Sequence, residues 1–192
     1  GLVDHYYEKI IKISRNQNFY RELMVPDTID GRFDLLALFS IILTFFLSKL
    51  EGNGKEISQI LFDKIFLDLD LSLREMGAGD TGVHIKIKKM VNSYMGRQKV
   101  YCKCIDDHDF IKLKLHIIKN IYRNVDDYGL APDHLTNYCK TCVLFFENKP
   151  VTWVDSIPEL QGARGSVTNC QLCAVPRDHG ELGQRHQGRS AG

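Results

Sequence analysis

The run Leu35–Ser48, LLALFSIILTFFLS, constrains the fold more than any other stretch. Its fourteen residues carry no charge, and Asp34 and Lys49 bound it. A helix that spans a bilayer needs roughly 20 apolar residues. The run therefore predicts a helix buried at the centre of a soluble fold, with interfacial membrane contact as the lesser alternative. A helix that is apolar all round has to be enclosed by other elements.

The neighbouring segments supply helices to enclose it. Tyr6, Tyr7, Ile10 and Ile11 share one helical face, Asn16-Gln17-Asn18 predicts a break, and Phe19, Tyr20 and Leu23 follow it. Val25–Thr28 is expected to be extended, because Pro26 disfavours the helical region for Val25. Asp30-Gly31 is a turn signal. The apolar helix is then expected from about Phe33 to Leu50, ended by Gly52 and Gly54, which can take positive φ. The next helix is expected from Lys55 or Glu56 to Met76. There Ile57, Leu61, Ile65, Leu69 and Leu73 recur every four residues, opposite Lys64, Asp68, Asp70 and Arg74. Gly77 and Gly79 stop it, and Asp80 or Thr81 can N-cap the following helix. In that helix Val83, Ile87, Met90, Val91 and Tyr94 share a face. Two more helices are predicted, from Asp107 to Val125 and from Pro132 to about Glu147.

These elements give an all-α fold, a single-domain bundle of about six or seven helices over residues 1–160. From Gly162 the composition changes. Six of the fifteen glycines lie there and no aromatic residue does, so residues 161–192 read as a disordered extension. A net charge of +1 gives no global basic excess that would demand nucleic acid. No secretory signal is visible in Gly1-Leu2-Val3-Asp4.

Six cysteines are present. Cys139/Cys142 and Cys170/Cys173 are two CxxC pairs that could form a four-thiolate zinc site. Their separation is longer than usual, and the first pair sits in a predicted helix, so small buried hydrophobes are the favoured role. Gly77-Ala78-Gly79-Asp80-Thr81-Gly82 matches GxGxxG in letters, but the dinucleotide fingerprint requires a preceding strand. A helical corner is the reading here, where glycines allow a tight reversal. No HExxH, GxSxG or P-loop occurs, and the histidines are scattered. Asp106-Asp107 and Asp126-Asp127 fall at predicted helix ends, where capping explains them. The cluster Lys86, Lys88, Lys89, Arg97, Lys99 and Lys103 is either a solvated helix face or a surface for RNA or acidic protein.

Three stretches together resemble the ubiquinol–cytochrome c chaperone family. The first is NFYREL at Asn18–Leu23, followed by VPDTIDGRFDLL at Val25–Leu36. The second is LFD at Leu61–Asp63, leading to DLDLSLREMG at Asp68–Gly77. The third is GDTGV at Gly79–Val83, then IKKM at Ile87–Met90 and YMGR at Tyr94–Arg97. The resemblance covers roughly Tyr6 to Tyr128 and is similar to bacterial members. It implies an all-helical chaperone with no enzymatic activity and no cofactor, which binds newly synthesised cytochrome b and promotes biogenesis of respiratory complex III. In mitochondrial relatives a small co-chaperone and the ribosome take part. No small-molecule substrate and no DNA are implied. The implied location is cytoplasmic and peripheral to the inner membrane in a bacterium, or the matrix side of the inner membrane in a eukaryote. A zinc- or nucleotide-binding helical protein is the rival reading, resting on the CxxC pairs and GAGDTG.

The resemblance implies structural roles for Phe19, Tyr20, Pro26, Asp27, Asp30, Gly31, Arg32, Phe33, Arg74, Gly77 and Gly79. Contact with the client is expected on the corner and helix from Gly79 to Arg97. In that reading Asp80 caps the helix, Val83, Met90 and Tyr94 form an apolar strip, and Lys88, Lys89 and Arg97 form a basic margin. The spacing of the apolar three would equally suit a core face.

Overall fold

Thr28 starts the central helix. In a computed structural model, which describes residues 1–160, its backbone is extended and its hydroxyl accepts a hydrogen bond from the Gly31 N–H at 3.0 Å. This is an N-cap, and the helix α3 runs Ile29–Leu47. Asp30-Gly31 is therefore not a turn but the first turn of α3, which begins four residues before the expected start. Gly31 is needed for space: a Cβ there would lie 1.9 Å from the Pro26 carbonyl oxygen. After α3, Gly52 reverses the chain at φ +82°. Gly54 serves packing instead, since its Cβ would meet the Leu47 carbonyl oxygen at 2.1 Å.

Around α3 stand α1 (Leu2–Ser14), a short α2 (Asn18–Arg21), α4 (Gly54–Glu75), α5 (Asp80–Asp106), α6 (Phe110–Ile121) and α7 (Ala131–Asn148). A 3-10 helix (Val151–Ser156) follows. Helices α1, α4, α5, α6 and α7 all pack on α3, so the uncharged run is the hub, as its composition predicted. The fold is all-α, with no strand among the described residues. Among them no helix is long and apolar enough to cross a membrane.

The break after α1 falls where expected, and the Asn16 carboxamide holds it by accepting from the Asn18 N–H at 3.0 Å. Phe19 then enters the core, edge-on to Tyr138 with ring centroids 5.5 Å apart and 5.2 Å from Phe39. Each fully buried ring or branched chain of this kind stabilises the fold by about 1.5–3 kcal/mol relative to exposure.

Helix α6 is shorter than the predicted Asp107–Val125. Asp109 is its N-cap, accepting from the Lys112 N–H at 2.9 Å. Asp106 and Asp107 instead end α5, where they pair with Lys49 at 3.5 Å and Lys103 at 2.9 Å. Asp126 and Asp127 lie in the loop before α7, beyond any helix end. Cys139 and Cys142 are buried in α7 as small hydrophobes, and burial pushes the Cys142 thiol up to about 12. The expected extension over 161–192, with Cys170 and Cys173, lies outside the described residues.

Candidate functional site

Helices α4 and α5 form a hairpin whose corner is a Schellman motif. The Ala78 N–H donates to the Leu73 carbonyl at 3.2 Å and the Gly77 N–H to the Arg74 carbonyl at 3.0 Å. Gly77 sits at φ +88° with nothing near its missing Cβ, so its role is conformational. The glycine run follows a helix and not a strand, which removes the setting that a dinucleotide turn needs.

Across the corner, Arg74 donates to Asp70 at 2.6 Å and also to Asp80. The expected cap by Asp80 is corrected. Gly79 holds the N-cap position with extended backbone and no side-chain cap, and Asp80 is the first helical residue, exposed and tied to Arg74. A carboxylate there still suits the positive end of the helix dipole.

The expected apolar strip is corrected as well. Val83, Met90 and Tyr94 are all buried, and Tyr94 packs edge-on to Phe62 and Phe66, with centroids 5.2 and 5.7 Å away. Their steps of seven and four residues make one helical face, and that face points into the bundle. Arg97 lies on the same face and is only 8% exposed. It is not a basic margin. Its guanidinium donates to the Asp34 Oδ1 at 2.5 Å, while the Asp34 Oδ2 accepts from Arg123 at 2.8 Å. Asp34 is buried at the head of the uncharged run, and a buried carboxylate requires a cation.

The phrase VPDTIDGRFD is a set of tertiary fasteners. Arg32 donates to Asp27 at 2.6 Å, Lys86 reaches from α5 to Asp30 at 3.0 Å, and Phe33 stands edge-on to Phe66 at 6.1 Å. Nearby, the Tyr20 hydroxyl donates to the Ser14 carbonyl at 2.8 Å.

What the hairpin does present is its outer face. On α4, Ile60, Leu67 and Leu71 are exposed, Leu67 to 60%, at steps that keep them on one side. Met76 is exposed at the corner, and Ile85 and Met95 are exposed on α5. Lys88, Lys89 and Lys99 are exposed on the same helix, and no described carboxylate pairs with them. Glu56 and Asp63 are exposed on α4. Both helices of the hairpin thus expose apolar side chains, and α5 adds a group of exposed lysines. Sequence reasoning missed Ile60, Leu67, Leu71 and Ile85 as surface. The signal was there, because α4 holds more apolar residues than one buried stripe uses.

Among the described residues no group of three or more His, Cys, Asp or Glu is arranged to hold a metal.

Comparison with known proteins gives this geometry a family. No curated protein matches the chain. The fold is similar to the crystal structure of the Cbp3 homolog from Brucella abortus, with TM-score 0.70 and 28% sequence identity, covering 83% of this chain and 88% of that one. The sequence model described as ubiquinol–cytochrome C chaperone matches residues 21–147, from the end of α2 through α7. Since that match takes in the central helix, the fasteners on it and the α4–α5 hairpin, the chain belongs to the ubiquinol–cytochrome c chaperone family.

Proposed function

We propose that this chain is an assembly chaperone that binds newly synthesised cytochrome b and promotes assembly of the ubiquinol–cytochrome c reductase complex. It does so without catalysis and at the membrane surface, holding its client on the outer face of the α4–α5 hairpin. The observation that carries the reading is the family match over residues 21–147. The site within it rests on the exposed apolar residues Ile60, Leu67 and Leu71 on α4 and Ile85 and Met95 on α5. Exposed apolar rows rimmed by charge mark protein contact surfaces, and a helix of an unassembled membrane subunit offers the complementary apolar face. Unbranched Met76 and Met95 adapt to varied side chains.

The test is capture of cytochrome b from a cell-free translation. Wild-type protein is expected to recover it. A triple variant L67S/L71S/I85S is expected to lose most of that recovery, and K88E/K89E to weaken it. Both sets change exposed side chains, so melting should shift little, by about 0.5 kcal/mol or less per site. No recovery by wild-type protein would overturn the chaperone reading. Full recovery by both folded variants would place the client elsewhere.

A further inference from the structure

Helix α6 carries charge of one sign only. Its sequence, FIKLKLHIIKNI, holds three lysines and no carboxylate. Leu113, Ile117 and Ile121 are buried, at steps of four that turn one face to the core. A single such face is what a helix on the outside of a bundle needs. Yet α6 has a second apolar stripe, Ile111, Leu115 and Ile118, at steps of four and three on another side. Ile111 is 77% exposed, more than any other large apolar side chain among the described residues. Leu115 is exposed as well, and Ile118 is half-buried. Folding does not account for this stripe.

Cations flank the stripe on both edges. Lys112 and Lys119 lie along one edge, both exposed and without a carboxylate partner among the described residues. His116 sits between them, and burial together with these two cations holds its ring below the usual histidine range. Along the other edge Lys114 reaches Asp133 at 3.0 Å. There Lys140 of α7 also stands over the Phe110 ring, 5.4 Å from its centroid. Asp109 is engaged as the N-cap. Whatever covers this face must therefore be apolar within and negative on its surface. The exposure of Ile111 decides between two such partners. A side chain in a groove would be shielded by its walls, whereas Ile111 stands out as a ridge. A protein partner would have to offer a groove cut to that ridge, while the fluid boundary of a bilayer admits it, with lysine stems lying along the apolar surface and their ammonium groups at the headgroups.

We propose that the outer side of α6 docks on an anionic lipid surface, with Ile111 and Leu115 entering the boundary between headgroups and acyl chains and Lys112 and Lys119 among the headgroups. The proposal names the face that would touch the bilayer in a chaperone acting at a membrane. It rests on α6 alone and shares no residue with the client face of the α4–α5 hairpin. Two inserted side chains and two unpaired lysines make a weak, reversible contact and not an anchor.

The test is co-sedimentation of the full chain with vesicles of phosphatidylcholine alone or mixed with phosphatidylglycerol. Wild-type protein should bind the mixed vesicles, bind phosphatidylcholine far less, and lose most of its binding in high salt. The variant K112Q/K119Q should bind the mixed vesicles roughly 25-fold more weakly, at about fivefold per lysine near an anionic surface. The variant I111S/L115S should lose about tenfold or more. Both change exposed side chains, so both should melt close to wild type. The client variant L67S/L71S/I85S should bind vesicles as wild type does, and I111S/L115S should still capture cytochrome b from a cell-free translation, which separates failure of this proposal from failure of the chaperone reading. No binding of wild type to the mixed vesicles would overturn the proposal. So would unchanged binding by folded I111S/L115S, because attraction of lysines alone would then suffice. Soluble polyglutamate binding wild type as tightly as the mixed vesicles do would overturn it in favour of an acidic protein.

Discussion

Removing Asp34 should be among the most damaging single changes in the chain. Its carboxylate is 3% exposed and accepts from two arginines, Arg97 at 2.5 Å and Arg123 at 2.8 Å. In Asp34→Ala, Arg123 has an alternative: its side chain is 39% exposed and it also donates to the Asn120 carbonyl. Arg97 has none, being 10% exposed and set beside Phe33. A buried charge stranded in this way costs about 3–5 kcal/mol. A domain's whole stability is about 5–15 kcal/mol. At about 2–4 °C per kcal/mol for a chain of this size, Tm should fall by roughly 6–20 °C. Arg97→Met should cost less, because Asp34 keeps its bond to Arg123. The double variant D34L/R97M should recover most of the Asp34→Ala loss, since replacing a buried pair by apolar groups is often close to neutral. Urea unfolding followed by circular dichroism gives all three numbers. An Asp34→Ala cost under about 1 kcal/mol, or an Arg97→Met cost above that of Asp34→Ala, would refute this account of the cluster.

Two glycines test two different reasons for the residue. Gly31→Ala drives a methyl against the Pro26 carbonyl, 1.9 Å away, and should cost about 3 kcal/mol or more. Gly77→Ala meets no atom but must hold φ +88°, which should cost about 1–2 kcal/mol; equal losses in urea unfolding would refute the distinction. Cys102 is half-buried in α5, and burial pushes its thiol up to about 11. Because the thiolate is the reactive form, alkylation of the native chain at pH 8 should be slow at Cys102 and rise steadily towards pH 11. Peptide mapping by mass spectrometry reads that site alone, and labelling at the rate of a free thiol at pH 8 would contradict it.

Much of the bundle was legible because its signals are local. The run Leu35–Ser48 has no polar side for water, so it had to be the hub. The four-residue stripe Ile57 to Leu73 fixed which side of α4 faces it. The errors came where a local signal had a non-local cause. Asp30-Gly31 has the composition of a turn, yet Gly31 is there because the Pro26 carbonyl passes within a methyl's reach. Asp107 could cap a helix as well as Asp109, and only the chain's path after α5 selects the second.

The site was misread for a related reason. A helical period says which residues share a face, not what that face meets. Val83, Met90 and Tyr94 were correctly grouped, and of the two faces their spacing suited it is the core face that they make, whereas Arg97 was wrongly set apart from them as part of a basic margin. Arg97 held the clue, since an arginine on an otherwise apolar stripe needs a carboxylate, and Asp34 heads the one run with no other charge. The same sorting resolves the basic cluster. Arg97 belongs to the core, Lys86 to Asp30 and Lys103 to Asp107. Lys88, Lys89 and Lys99 remain without described carboxylate partners, on the helix that exposes Ile85 and Met95. Because the inner face of α5 is locked by Tyr94 and the Asp34 pair, its outer face needs no apolar residues for folding. Ile85 and Met95 therefore add little to stability where they stand, and the proposed client contact would give them a role.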